Sequence, residues 1–157
     1  MEKDKVNYYL DIAETVLKAS NCLRRNFGCV IVKDNGIIST GFNGRIRNDT
    51  RTCKNEGCIR NEKNLKSGEG MELCKGLCAE QKALLDISYF SAKDSDLFLV
   101  GIDVESRDYF PIDPCSRCLK MIKQMDIKNV YVRETKEKYR ILKNLGKSEN
   151  DQTKISC

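Results

Sequence analysis

Cys78-Ala79-Glu80-Gln81 opens a run of segments whose order decides the fold. It is followed by Asp96-Leu97-Phe98-Leu99-Val100-Gly101-Ile102, then Pro114-Cys115-Ser116-Arg117-Cys118-Leu119, then Val130-Tyr131-Val132. Ala79, Ala83, Ile87 and Phe90 fall on one side of a helix expected over 79–90. The run Leu97–Val100 reads as a strand buried on both faces. Leu119, Ile122 and Met125 give a further helix over 115–125, and 130–132 is another strand. A strand–helix–strand unit from Asp96 to Val132 implies a right-handed parallel crossover.

Upstream, Tyr9, Ile12, Ala13, Val16 and Leu17 have helical spacing, which predicts an amphipathic helix over 4–19. Cys29-Val30-Ile31-Val32 is a continuous apolar strand. Asn35-Gly36 is a hairpin signal, and 37–42 is the return strand. Thr135 suits the cap of a last helix running to Leu145 and ended by Gly146. The whole predicts an α/β fold, a mixed central sheet with helices on both faces. One domain over 1–146 and a polar tail over 147–157 account for the chain.

The chain has 157 residues, of which 40% are hydrophobic and 32% charged, the balance of a globular protein with a real core. Met1-Glu2-Lys3-Asp4-Lys5 has no apolar run behind it, and no stretch approaches ~20 apolar residues, so neither a signal peptide nor a membrane span is expected. A cytoplasmic location follows. The formal charge is +5, and seven thiolates on two zinc ions would bring it to about +2. Nucleic-acid binding therefore has little support, whereas a phosphorylated small molecule suits a modestly basic chain.

There are nine cysteines and no histidine. Without an export signal, metal binding is the better default than disulfides. Cys78, Cys115 and Cys118 make three soft ligands, and three with an open fourth position is the pattern of a catalytic zinc site. Alone, Cys-x-x-Cys also suits a structural zinc knuckle or a redox pair. Here, however, Cys78 and Cys115 both fall at helix starts, where free N–H groups favour thiolates. Cys115 and Cys118 share a helix face. Glu80 is not needed as a ligand. It points away from Cys78 and suits a proton shuttle, taking a proton from water activated by zinc and handing it to a substrate.

The residues 43–77 form a long polar stretch that needs something to order it. Cys53, Cys58 and Cys74 lie in it. With Cys22 they are enough for a second, closed structural zinc. Cys29 sits in an apolar run and reads as a small core residue.

From about Ser20 to Val132 the chain resembles the cytidine and deoxycytidylate deaminase superfamily, most of all the deoxycytidylate (dCMP) deaminases, including the late-competence type. The likeness is carried by Gly28-Cys29-Val30-Ile31-Val32, Gly41-Phe42-Asn43-Gly44, Cys53-Lys54-Asn55-Glu56-Gly57-Cys58, Glu72-Leu73-Cys74-Lys75-Gly76-Leu77, Cys78-Ala79-Glu80 and Pro114-Cys115-Ser116-Arg117-Cys118. A ligand-x-Glu followed by Pro-Cys-x-x-Cys is the signature of zinc nucleobase deaminases.

The resemblance implies the three-layer α/β/α cytidine deaminase-like fold and a zinc-dependent hydrolysis of a cytosine nucleotide, dCMP to dUMP with loss of ammonia. Glu80 would be the proton shuttle. It also implies that Asn43 contacts the sugar or base, that the four-cysteine set holds a second zinc, and that the chain forms a homo-oligomer. Ala79, Arg45 and Phe110 are the further expected substrate contacts. Arg47, Arg51 and Arg60 are other cations available to a phosphate, and Tyr109 is a second aromatic near the ligands.

Six positions depart from the patterns of the family. Cys78 replaces the usual histidine ligand. Gln81 stands where small cytidine deaminases carry Arg, Lys82 where Asn is usual, and Arg45-Ile46-Arg47 in place of a Pro-containing loop. A free nucleoside deaminase, with its all-cysteine ligands, is the alternative enzyme. A tRNA adenosine deaminase fits the charge and the four-cysteine loop poorly. An inactive zinc-stabilised protein would have no need of Glu80.

Overall fold

The computed structural model describes residues 1–143 and 145. Its first helix, α1 (Lys3–Val16), runs into a single 3-10 turn, Leu17–Ala19, and buries Val6, Tyr9, Leu10 and Ala13. Strand β1 (Arg25–Lys33) and β2 (Gly36–Phe42) form an antiparallel hairpin. Asp34 and Asn35 both take positive φ, 49° and 64°. The tight turn is therefore centred one residue earlier than Asn35-Gly36, and Gly36 already pairs with Lys33. Two left-handed central residues match the right-handed twist of the strands.

The segment 43–77 is built from short pieces. These are β3 (Gly44–Arg45), α2 (Cys53–Glu56), α3 (Ile59–Glu62), a 3-10 turn at Met71–Leu73, and β4 (Gly76–Leu77), which pairs with β3. Arginines supply much of its order. Arg45 bridges Asp49 at 3.2 Å and Glu56 at 3.0 Å. Arg24 donates to the Leu65 carbonyl at 2.8 Å, and Arg60 to the Glu69 carbonyl at 2.8 Å.

Next come α4 (Ala79–Leu85), α5 (Tyr89–Ala92), β5 (Asp96–Asp103), α6 (Ser116–Gln124), β6 (Asn129–Arg133) and β7 (Tyr139–Lys143). The main sheet has the order β2-β1-β5-β6-β7. Only the β5–β6 pair, joined through α6, is parallel, so the sheet is mixed as expected.

The apolar runs alternate between two cores. Cys29, Ile31, Leu97, Leu99, Val130 and Val132 pack toward α4 and α6. Val30, Val32, Phe98, Val100 and Tyr131 pack toward α1. That division makes the three layers. Two glycines permit the closest approaches. A Cβ at Gly28 would lie 2.0 Å from the Ala13 carbonyl oxygen of α1, and one at Gly41 would lie 2.2 Å from the Ala79 carbonyl oxygen of α4.

Two expectations are corrected. The helix over 135–145 is absent. Tyr139–Lys143 instead adds an antiparallel strand to β6, completing its hydrogen bonding. Thr135 caps only a turn, accepting the Lys138 amide at 3.1 Å. Helical propensity there loses to an available sheet edge, and Gly146 and the tail lie outside the described residues. The helix over 79–90 is really two. Ser88 accepts the Ser91 amide and restarts the chain as α5, which turns Phe90 outward, 82% exposed.

Candidate functional site

Cys78 is the N-cap of α4 and Cys115 the N-cap of α6. The two helices lie on one face of the sheet, with their first turns converging. This convergence brings the ligand atoms of Cys78, Cys115 and Cys118 within 4.8 Å of one another. Local bonds fix each thiol. Gln81 accepts the Cys78 amide at 2.9 Å, so the residue that departs from the small cytidine deaminases closes the helix cap. The Cys118 amide donates to the Cys115 sulfur at 3.5 Å. Cys118 is buried, while the other two are half-buried.

The electrostatics are those of a cation site. Hydrogen bonding from Cys118 and then Cys115, with the charges of Arg117 and Arg60, brings the Cys78 thiol down to about 6 despite its burial. Cys118 shifts upward, because it gives its proton's hydrogen bond to Cys78 and is itself buried. Three thiols this close cannot all ionise without a counter-charge. A divalent soft-tolerant ion supplies that charge, and three thiolates fit zinc with one position left open. The Cys118 N–H bond to sulfur and the Arg117 charge would blunt the excess negative charge of an all-thiolate set.

Glu80, in the first turn of α4, is buried and lines the same cavity. Burial, then the negative charge of Cys78, pushes its carboxyl up to about 7. A carboxyl poised near neutrality can both take and give a proton. Cys29 is fully buried in β1, as expected of a core residue, and its thiol is raised by burial and by the nearby Glu80 charge.

The cavity measures about 450 Å³, enough for a small organic ligand. Asn43, Ala79 and Phe110 line it, as expected from sequence. The Asn43 oxygen accepts from Ser20 Oγ at 2.7 Å and from the Phe27 amide at 2.8 Å, and its amide nitrogen donates to the Arg25 carbonyl at 2.8 Å. One N–H of Asn43 is left for a ligand. Ala79 occupies the first helical position, where an amide has no intrahelical partner.

Arg45 is not brought to the cavity wall. Its guanidinium is held in the loop by Asp49 and Glu56. Arg47 pairs with Asp86, and Arg51 with Asp49. The cations that do line the wall are Arg24, Arg25, Arg60 and Arg117. Of these, only Arg60 was among the cations that the sequence offered to a phosphate, and Arg24 and Arg25 were not singled out as pocket residues. Their only signal was the Cys22-Leu23-Arg24-Arg25 stretch entering β1. Tyr109 turns away from the cavity toward α1.

Cys22, Cys53 and Cys74 also line the cavity, whereas Cys58, the N-cap of α3, does not. Among the described residues, Cys78, Cys115 and Cys118 are the group of ligating side chains gathered within 4.8 Å; the loop cysteines are not drawn together to that distance.

The model of the cytidine and deoxycytidylate deaminase zinc-binding region matches residues 3–134. The chain belongs to this deaminase family. Among curated relatives, the deoxycytidylate deaminase of Schizosaccharomyces pombe is 32% identical over 79% of the chain and 35% of its own length. ComE operon protein 2 of Bacillus subtilis is 31% identical over 85% of the chain and 62% of its own length. The chain thus spans between a third and two thirds of these relatives. Among solved structures, a dCMP deaminase from the cyanophage S-TIM5, in complex with dCMP and dUMP, has TM-score 0.60 at 27% identity, covering 83% of this chain and 81% of that one. The three-layer deaminase fold and a family zinc-binding region are therefore shared, as the sequence led us to expect.

Proposed function

We propose that the chain hydrolyses a cytosine nucleotide, dCMP to dUMP, releasing ammonia. The observation that carries this reading is a buried Glu80 carboxyl beside three converging thiols in a cavity walled by four arginines. Relatives named deoxycytidylate deaminase, and a similar structure containing dCMP and dUMP, support the substrate.

Cys78, Cys115 and Cys118 would hold zinc, which when bound supplies a Lewis acid that activates water at neutral pH. Glu80 receives the water proton, passes it to the ring nitrogen of the base, and delivers a proton to the departing amine. The Ala79 amide and the free N–H of Asn43 are donors for the base carbonyl or the sugar. Phe110 offers a ring edge or face to the pyrimidine. The arginine wall favours a phosphate over a neutral nucleoside.

A second, structural zinc on Cys22, Cys53, Cys58 and Cys74 would tie the 43–77 segment to the entry of β1. Three of these cysteines facing one cavity support it. Arg45 would act on the substrate side only through the loop it fastens. Unpaired thiols throughout the described residues support a reducing, cytoplasmic setting. Exposed Leu85 and Phe90 support a homo-oligomer. No helix among the described residues is long and apolar enough to cross a membrane.

The all-cysteine ligand set favours one competing substrate class, the free nucleosides. Ammonia release from dCMP, CMP, deoxycytidine, cytosine and a tRNA separates the readings. Turnover of dCMP above all others is expected. Turnover of deoxycytidine with dCMP inert overturns the nucleotide assignment. Elemental analysis should give two zinc ions per chain, and one ion would remove the second site.

A further inference from the structure

Residues 104–115 connect β5 to α6 without regular structure, yet they deliver Phe110, Ile112 and Asp113 to the cavity wall just ahead of Cys115. A connection of this kind needs fastening if its side chains are to hold a ligand. Side chains from the far side of the molecule grip it at two points.

The first grip is on Tyr109. Its backbone forms an isolated antiparallel bridge with Ile102, and its hydroxyl donates to Glu14 of α1 at 2.9 Å. Glu14 is held in turn by Arg133 of β6 at 2.8 Å. Arg133 is 0% exposed, an unusual place for a guanidinium. It also pairs with Asp11 at 2.7 Å and donates to the Asn7 carbonyl at 3.3 Å. The chain Arg133–Glu14–Tyr109 runs on the α1 face of the sheet and ends one residue from Phe110, which faces the opposite way. Successive side chains of an extended segment point to opposite sides, so holding Tyr109 sets the direction of Phe110.

The second grip is Arg140 of β7. It donates to the Pro111 carbonyl at 2.8 Å and pairs with Asp113 at 2.8 Å, with Glu134 steadying its other nitrogen at 3.1 Å. Between the two grips, the Phe110 amide bonds the Gly101 carbonyl at 2.8 Å. The Phe110 ring meets Phe27 edge-on at 6.4 Å and carries the Arg25 guanidinium at 4.4 Å. The wall is therefore a small stack whose position depends on both grips.

We propose that Tyr109, anchored through Glu14 to the buried Arg133, is a positioning residue that sets Phe110 against the substrate base, with Arg140 as the second anchor of the same wall. None of these residues touches the thiols or Glu80. Their effect therefore falls on substrate affinity rather than on the chemical step. The inference rests on the substrate reading given above.

The test is a double-mutant cycle with dCMP. Tyr109→Phe keeps the ring and removes only the hydroxyl. It should raise KM about fivefold with kcat within about twofold, the size of a coupling of roughly 1 kcal/mol. In a Phe110→Ala background the same change should leave KM unmoved, because the group it positions is gone. An equal KM rise in both backgrounds, or none in either, overturns the proposal. Hydrogen exchange supplies a readout free of substrate. Tyr109→Phe and Arg140→Gln should speed exchange at the Phe110 and Ile112 amides while leaving Phe98 and Val130 as in the wild type. Unchanged exchange at 110 and 112 also overturns it. A wild-type chain inert toward every nucleotide sinks the substrate reading instead, and the exchange arm then decides the bracing alone.

Discussion

Replacing Gly41 with Ala tests the link between packing and chemistry. Gly41 lies on β2 directly beneath α4, and an added Cβ would sit 2.2 Å from the Ala79 carbonyl oxygen and 2.7 Å from the Ala83 nitrogen. Both obstacles are helix backbone, so no rotamer change relieves them. Ordinary contact begins at 3.4 Å, so α4 must retreat from the sheet by about 1 Å. Overpacking of this kind costs about 2 kcal/mol, which for a chain of this length lowers Tm by about 6 °C.

The functional cost should be larger than the stability cost. The retreating helix carries Cys78, Ala79 and Glu80, whereas Cys115 and Cys118 ride on α6, so the two halves of the site separate. A misplacement of ~1 Å costs about a hundredfold in rate. Thermal unfolding, zinc content and kcat for ammonia release from dCMP measure the three consequences. Gly36→Ala is the control, since its Cβ would meet only the Lys33 carbonyl oxygen, at 3.5 Å. If Gly41→Ala matched Gly36→Ala in both Tm and kcat, the claim that close β2–α4 approach sets the site geometry would be wrong.

Glu80→Gln should preserve fold and zinc content while lowering kcat by at least ~10²-fold, because a carboxamide cannot shuttle protons; retained turnover would remove Glu80 from the chemistry. Arg117 is exposed and among the described residues makes no ion pair, so Arg117→Gln should raise KM for dCMP several-fold more than KM for deoxycytidine, about 1 kcal/mol, while any fall in kcat, from the charge lost beside Cys78, is common to both substrates; an equal KM effect on both would dissociate it from the phosphate. Arg51, first, and then Arg45 hold the Asp49 carboxyl down at about 2, against 3.8 unperturbed. With the folded value below the unfolded one, its contribution is fully present above pH ~4 and is lost as pH falls through ~2, so Asp49→Asn should flatten that part of the acid unfolding curve, and an unaltered curve would refute the pairing. Stripping zinc with a chelator should lower Tm and expose the 43–77 segment to protease, whereas protection equal to the loaded protein would deny metal a role in ordering it.

Much of the site was legible in the sequence because its geometry is local. A cysteine that caps a helix is written in the residues around it, and both Cys78 and Cys115 proved to be N-caps. The two-sided burial of Val30–Val32 and Leu97–Val100 was likewise legible, since an uninterrupted apolar run has no polar face to offer water. The segment at 139–143 was not. Its composition allows a helix, and only the unfilled edge of β6 makes it a strand. That strand places Arg140 on the linker behind Phe110.

The cations divide in the same way. Sequence alone gives a chain rich in Arg and Lys, with Arg45, Arg47, Arg51 and Arg60 near the predicted pocket. Tertiary structure decides that Arg45 is locked between acids in the loop, and that Arg24, Arg25, Arg60 and Arg117 face the cavity. The sequence by itself determined the family, the convergence of Cys78, Cys115 and Cys118 at two helix starts, and the three-layer order, because these follow from ligand spacing, helix starts and hydrophobic period. What lines the pocket, and what holds that lining still, depends on residues far apart in the chain. Arg133, Glu14 and Tyr109 meet only once the sheet and α1 have packed, and no local pattern can announce a contact that packing creates.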